Sequence, residues 1–227
     1  VREASSKSVQ RGFNLVELAI TLVIAGLLAS AVLAATELRQ TARSRGLMQQ
    51  ADALRAAHHG FLDRYRTLPG DAPRATIDIP GTTVNGNGDG RVEFAAGVSE
   101  SVAVWEHLSR AGFLSGGYRY GDGSESPDSA PVSPFGATPR LATNDRYAGR
   151  APIRLNLHLG NLVPAATLAE VDLKLDDGLP DSGALRFSPI GTTGQAPNAT
   201  RCLAGDGTRW EVAGQGELNC AITWLLQ

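Results

Sequence analysis

The sequence predicts an α+β fold: a long N-terminal helix, membrane-spanning in its first half, packed on a small antiparallel sheet head. Three observations predict it. The stretch Leu18–Ala35 has no charged residue and follows a basic start. Apolar residues then recur at intervals of three or four until Pro69-Gly70. The C-terminal half alternates short apolar runs with clusters of Gly, Pro and Asp. The 227 residues suit one or two domains, and a net charge of −2 without a Lys/Arg block gives no indication of nucleic-acid binding through a broad basic face.

The first element is the apolar helix. Its eighteen residues, Leu18–Ala35, cover about 27 Å at ~1.5 Å per residue, close to the thickness of a hydrocarbon core. Arg2, Lys7 and Arg11 precede it against one acid, Glu3, which places the N-terminus in the cytoplasm and sends the rest across. A cleaved secretory signal, with a small-residue site in "ASAVLAA", and a plain signal anchor are both open readings. Neither accounts for Glu17, a charge that is costly near lipid unless paired. Neither explains the Gly12-Phe13 step before it.

"RGFNLVELAITLVIAGLLASAV" resembles the N-terminus of type IV pilins and type II secretion pseudopilins. In that family a basic leader ends in Gly, a membrane peptidase cuts after it, the new first residue is methylated, and Glu stands fifth. The resemblance implies cleavage by a prepilin peptidase between Gly12 and Phe13, with Glu17 as the fifth mature residue and the assembly determinant. It implies a single-pass inner-membrane protein whose head is extracytoplasmic. The implied partners are membrane lipid, other pilin or pseudopilin subunits and an inner-membrane assembly platform. In a filament the Glu17 carboxylate of one subunit would meet the Phe13 amine of the next, a pairing that sets register more than stability. Many pilins bend this helix with Pro; here the first proline is Pro69, which implies a straighter helix. The implied organisation is a leader at 1–12, a span or filament core at 13–35, a helical continuation at 36–67 and a head at 68–227.

The continuation is rich in helix formers, with Leu47, Ala51, Leu54, Phe61, Tyr65 and Leu68 on one stripe. One helix to about Thr67, or two helices broken near Arg43–Gly46, both fit. His58 and His59 point about 100° apart on a helix and do not readily share an ion. "NGNGDGRVEF" follows, with oxygen-bearing Asn85, Asn87 and Asp89 at alternate positions, then the Arg91 carbonyl and Glu93. The pattern resembles the first part of an EF-hand loop and points to calcium, although the twelfth position is Ala96 rather than Glu and Glu100 fits only a longer loop. A flexible Asn/Gly/Asp turn is the alternative. A helix capped by Ser99 follows, with Val102, Trp105, Leu108 and Ala111 on one face and Gly112 or Gly116 closing it. "RYRTLPGDAPRAT", "NGNGDG" and "ESVAVWEHLSRAGFLSGGY" together are similar to a group of pilin-like proteins with an inserted loop of this kind.

Residues 121–150 read as a long loop or an edge excursion, rich in Gly, Pro, Ser and Asp. "APIRLNLHLG" alternates as a strand, with His158 on its polar side. A helix runs from Pro164 to about Leu175, and "GALRFSPI", "TRWEV" and "NCAITWLLQ" are strand candidates. "KLDDGLPDSGALR" is similar to segments of pilin-like heads. Cys202 and Cys220 either pair in an oxidising compartment or stand as two buried thiols. The sequence has no P-loop, no G-x-S-x-G, no H-E-x-x-H and no C-x-x-C, so a structural subunit is expected rather than an enzyme. The alternative is an unprocessed, membrane-anchored envelope binding module with a calcium-stabilised head.

Overall fold

The computed structural model describes residues 14–94, 99–150, 152–213 and 217–226. The chain forms two compact units, one ending at Ala42 and one beginning at Arg43.

Helix α1 (Leu15–Tyr65) is unbroken across Arg43–Gly46, so the one-helix reading holds there. Between Leu15 and Ala42 every residue is exposed, which leaves the apolar stretch without cover in its own unit. Thr21, Ser30 and Thr36 each donate their hydroxyl to the carbonyl three residues back, at 2.9, 2.8 and 2.7 Å. These side chains therefore present no unmet donor to an apolar medium.

In the second unit the stripe Leu47, Ala51, Leu54, Ala57 and Phe61 is buried, as its spacing predicts. Burying a Leu or Phe of this kind stabilises by about 1.5–3 kcal/mol. Two one-turn helices, α2 (Ala75–Asp78) and α5 (Ala199–Cys202), have no sequence period to announce them. Helix α3 (Glu100–Arg110) buries Val102, Trp105 and Leu108 on the expected face, but Ser99 makes no side-chain cap bond. Helix α4 (Ala165–Leu175) ends where Asp-Asp-Gly begins.

Four strands form one antiparallel sheet: β1 (Arg140–Asn144), β2 (Arg154–His158), β3 (Leu185–Phe187) and β4 (Ile222–Leu225), in the order β1-β2-β4-β3. Directly opposed residues share a face. The pairs Leu141↔Leu157, Leu157↔Trp224, Leu185↔Trp224 and Phe187↔Ile222 therefore make one side of the sheet apolar. Strand β1 is an edge strand inside the segment read as a long loop or an edge excursion, where β2 supplies a partner for five residues with little alternation of their own. One sequence expectation is corrected. "TRWEV" forms no strand, only an isolated bridge between Leu203 and Trp210.

Cys202 and Cys220 form a disulfide with Cα atoms 5.7 Å apart. Cys220 is also bridged to Val163, so the bond ties α5 to the segment entering β4.

Candidate functional site

Two features bear on function, one in each unit. The first is the exposed apolar part of α1. Its large side chains are open to the surroundings, among them Leu15 at 82 %, Leu22 at 66 % and Leu33 at 68 %. By length and composition this helix is long and apolar enough to cross a membrane. Glu17 is in its first turn, where a carboxylate complements the helix dipole. From Leu18 to Thr36 no charge follows until Glu37. Gly12 and Phe13 lie outside the described residues, so the proposed cleavage step is not placed.

The second feature is the loop from Thr82 to Glu93, held by two neighbouring segments. Helix α1 ends just before Leu68-Pro69-Gly70-Asp71, and Asp71 is buried. Its Oδ1 accepts from Gly88 N at 2.6 Å and Asp89 N at 3.1 Å, and its Oδ2 accepts from Gly90 N at 2.9 Å. Helix α3 holds the other side. Glu100 accepts from Asn87 N at 2.9 Å and from Glu93 N at 3.1 Å, and Glu106 accepts from Thr83 N at 3.2 Å. His107 Nδ1 accepts from Gly70 N at 3.0 Å, so Nε2 carries the proton and donates to Val84 O, also at 3.0 Å. Burial holds His107 below its usual range, in keeping with that neutral tautomer.

Glycine is required at two places here. A Cβ at Gly86 would sit 2.3 Å from the Asp71 backbone. One at Gly70, where φ is +94°, would sit 2.5 Å from the Glu100 carbonyl oxygen. The sequence thus lets three chain segments approach until Asp71, Asp89 and Glu100 bring carboxylate oxygens within 4.8 Å of one another. Burial raises the pKa of both Asp71 and Glu100, against the amides that stabilise their anions; Asp89 adds repulsion to each.

The predicted ligand residues separate within this arrangement. Asn87 Nδ2 reaches Asp89 Oδ2 at 3.3 Å, and Asp89 Oδ1 accepts from Arg91 N at 2.9 Å. Asn85 instead turns its Oδ1 to Thr76 N at 2.9 Å. Glu93 contributes its amide to Glu100. Sequence spacing missed Asp71, whose one signal was the acid in "LPGD" closing the helix, while Glu100, which the sequence offered only for a longer loop, does join the cluster. The all-oxygen set of Asp71, Asp89 and Glu100 has the chemistry a hard divalent cation takes, while five backbone amides already occupy the Asp71 and Glu100 oxygens.

His58 is buried in α1 and His59 is exposed. Asn144 Nδ2 donates to His158 Nε2 at 3.2 Å, so His158 Nδ1 donates to Ser188 Oγ at 3.0 Å. His158 and Ser188 are both fully buried, so this chain bonds the sheet's second face and meets no cleft. Burial, then the charges of Arg140 and Arg146, push His158 down to about 3.

No family model, no curated protein and no solved structure matches this chain.

Proposed function

We propose that the chain is a structural subunit, a minor pilin or pseudopilin, of a type IV pilus or type II secretion-like filament. It is cut by prepilin peptidase after Gly12 and assembled through its N-terminal helix. The observation that carries this reading is the uncovered apolar surface of α1 from Leu15 to Ala42 with Glu17 in its first turn. Apolar surface on that scale requires lipid or a protein partner. A filament supplies both in sequence: lipid before assembly, neighbouring helices after it. Glu17 then has a function that lipid alone denies it, since the Phe13 amine of an adjacent subunit neutralises it. Removing one member of such a desolvated pair costs about 3–5 kcal/mol, because the other stays charged and buried. Glu17→Ala should therefore leave membrane insertion intact and strongly reduce incorporation into filaments. Normal incorporation of the variant would contradict the proposal.

One observation favours the alternative, an anchored envelope module with a calcium-stabilised head: the convergence of Asp71, Asp89 and Glu100. Under this reading calcium raises the melting temperature of the full chain, and Asp89→Ala abolishes that rise. Equal melting in calcium and in chelator would remove the metal from the account.

A further inference from the structure

The sheet's second face concentrates positive charge. The pairs Asn144↔Arg154, Asn156↔Leu225, His158↔Thr223 and Arg186↔Thr223 define that face. Residues 137–160 contain Arg140, Arg146, Arg150 and Arg154 against the single acid Asp145, in a chain whose net charge is −2. Arg140 is taken up by Glu125, to which it donates from Nε at 2.5 Å and Nη2 at 2.6 Å. Arg150 and Arg154 are exposed and have no ion pair among the described residues.

Those two arginines line an open groove of about 600 Å³ together with Arg186, Tyr147, Pro152 and Leu225. Among the described residues its lining includes no carboxylate. Arg186 is fixed in place: Nε donates to Gly183 O at 3.0 Å, and Nη1 donates to Ala148 O at 3.3 Å and Arg150 O at 3.2 Å. Its guanidinium lies 5.7 Å from the centre of the Tyr147 ring. Asp177 lies in electrostatic range of Arg186, and its oxygens accept from Leu179 N and Ser182 Oγ. The groove therefore has one guanidinium held by hydrogen bonds and two exposed ones, alongside Tyr147, Pro152 and Leu225. Guanidinium forks match the oxygens of a phosphate in pairs.

We propose that this groove binds a phosphate-type oxyanion, with Arg186 as the fixed donor and Arg150 and Arg154 closing on the ligand. The inference is independent of the filament reading, since it uses only the second unit. The test titrates the full chain in non-ionic detergent micelles with inorganic phosphate at low ionic strength. A second titration uses micelles doped with phosphatidic acid, which separates a lipid headgroup from a free anion. Saturable binding of either probe, weakened about tenfold by Arg150→Gln and by Arg154→Gln and unchanged in Arg209→Gln, is the expected result. Both arginines are exposed and hold no side-chain hydrogen bond among the described residues, so the variants fold as the parent does. Absence of saturable binding to both probes overturns the proposal. So does equal weakening by Arg209→Gln, which lies outside the groove and would report net charge alone.

Discussion

Replacing Asp71 with Ala removes one carboxylate that holds three consecutive amides, those of Gly88, Asp89 and Gly90. A hydrogen bond to a charged acceptor contributes about 1.5–3 kcal/mol, so three set an upper bound of roughly 4–9 kcal/mol. Three effects offset this. The side chain is 3 % exposed, so its removal relieves the desolvation of a buried charge. Repulsion from Asp89 and on Glu100 is relieved as well. Gly88 to Gly90 are exposed, so water satisfies the amides once the carboxylate is gone. The net loss is about 2–4 kcal/mol, which for a domain of this size lowers Tm by roughly 4–16 °C. The assay is thermal and urea unfolding of the full chain in detergent, followed by tryptophan fluorescence. Asp71→Asn is the companion variant: it keeps one acceptor oxygen and should lose less. An Asp71→Ala protein that melts within about 1 °C of the parent would refute the claim that this carboxylate holds the loop.

Two further predictions concern the rest of the head. Burial raises Asp172 to about 6, with Asp177 and Asp176 adding repulsion and Trp210 Nε1 opposing through a 2.8 Å hydrogen bond. The unfolded chain gives up this proton first, so stability falls as pH rises from about 4 to about 6 and stays lower above that. Asp172→Asn should flatten this slope and gain on the order of 1–2 kcal/mol at pH 7 in urea titrations; an unchanged slope would contradict the assignment. Replacing Cys202 and Cys220 together with Ala opens a loop of sequence separation 18 and should cost about 3 kcal/mol, read from the urea midpoint at constant m-value. A midpoint equal to the parent's would show that the bond adds nothing beyond the packing around it.

Periodicity made the helices legible. Leu47, Ala51, Leu54 and Phe61 announce a buried stripe, and Val102, Trp105 and Leu108 a second one. The alternation in β2 was equally readable, yet it suggested that His158 faces outward. It is fully buried because Asn144 and Ser188 close over its ring from neighbouring segments, which strand alternation does not register. Strand β1 and the short helices α2 and α5 depend on partners distant in sequence, and residues 140–144, 75–78 and 199–202 have too few positions for a period. The same holds for the acidic loop. Asn85, Asn87 and Asp89 stand at ligand spacing, but spacing within one segment cannot show that Asp71 and Glu100 arrive from either side, or that Asn85 turns to Thr76. The arginine groove left a visible trace in the four arginines of residues 137–160, and only strand pairing brings Arg186 to them.

The claim that orders the account is that this chain is processed and built into a filament. Mass spectrometry of the N-terminal peptide, taken from protein purified out of its native membrane, tests it most directly. The expected result is a first residue of Phe13 bearing a methylated amine. A polypeptide that retains residues before Gly12, or one cut near Ala35, would contradict it.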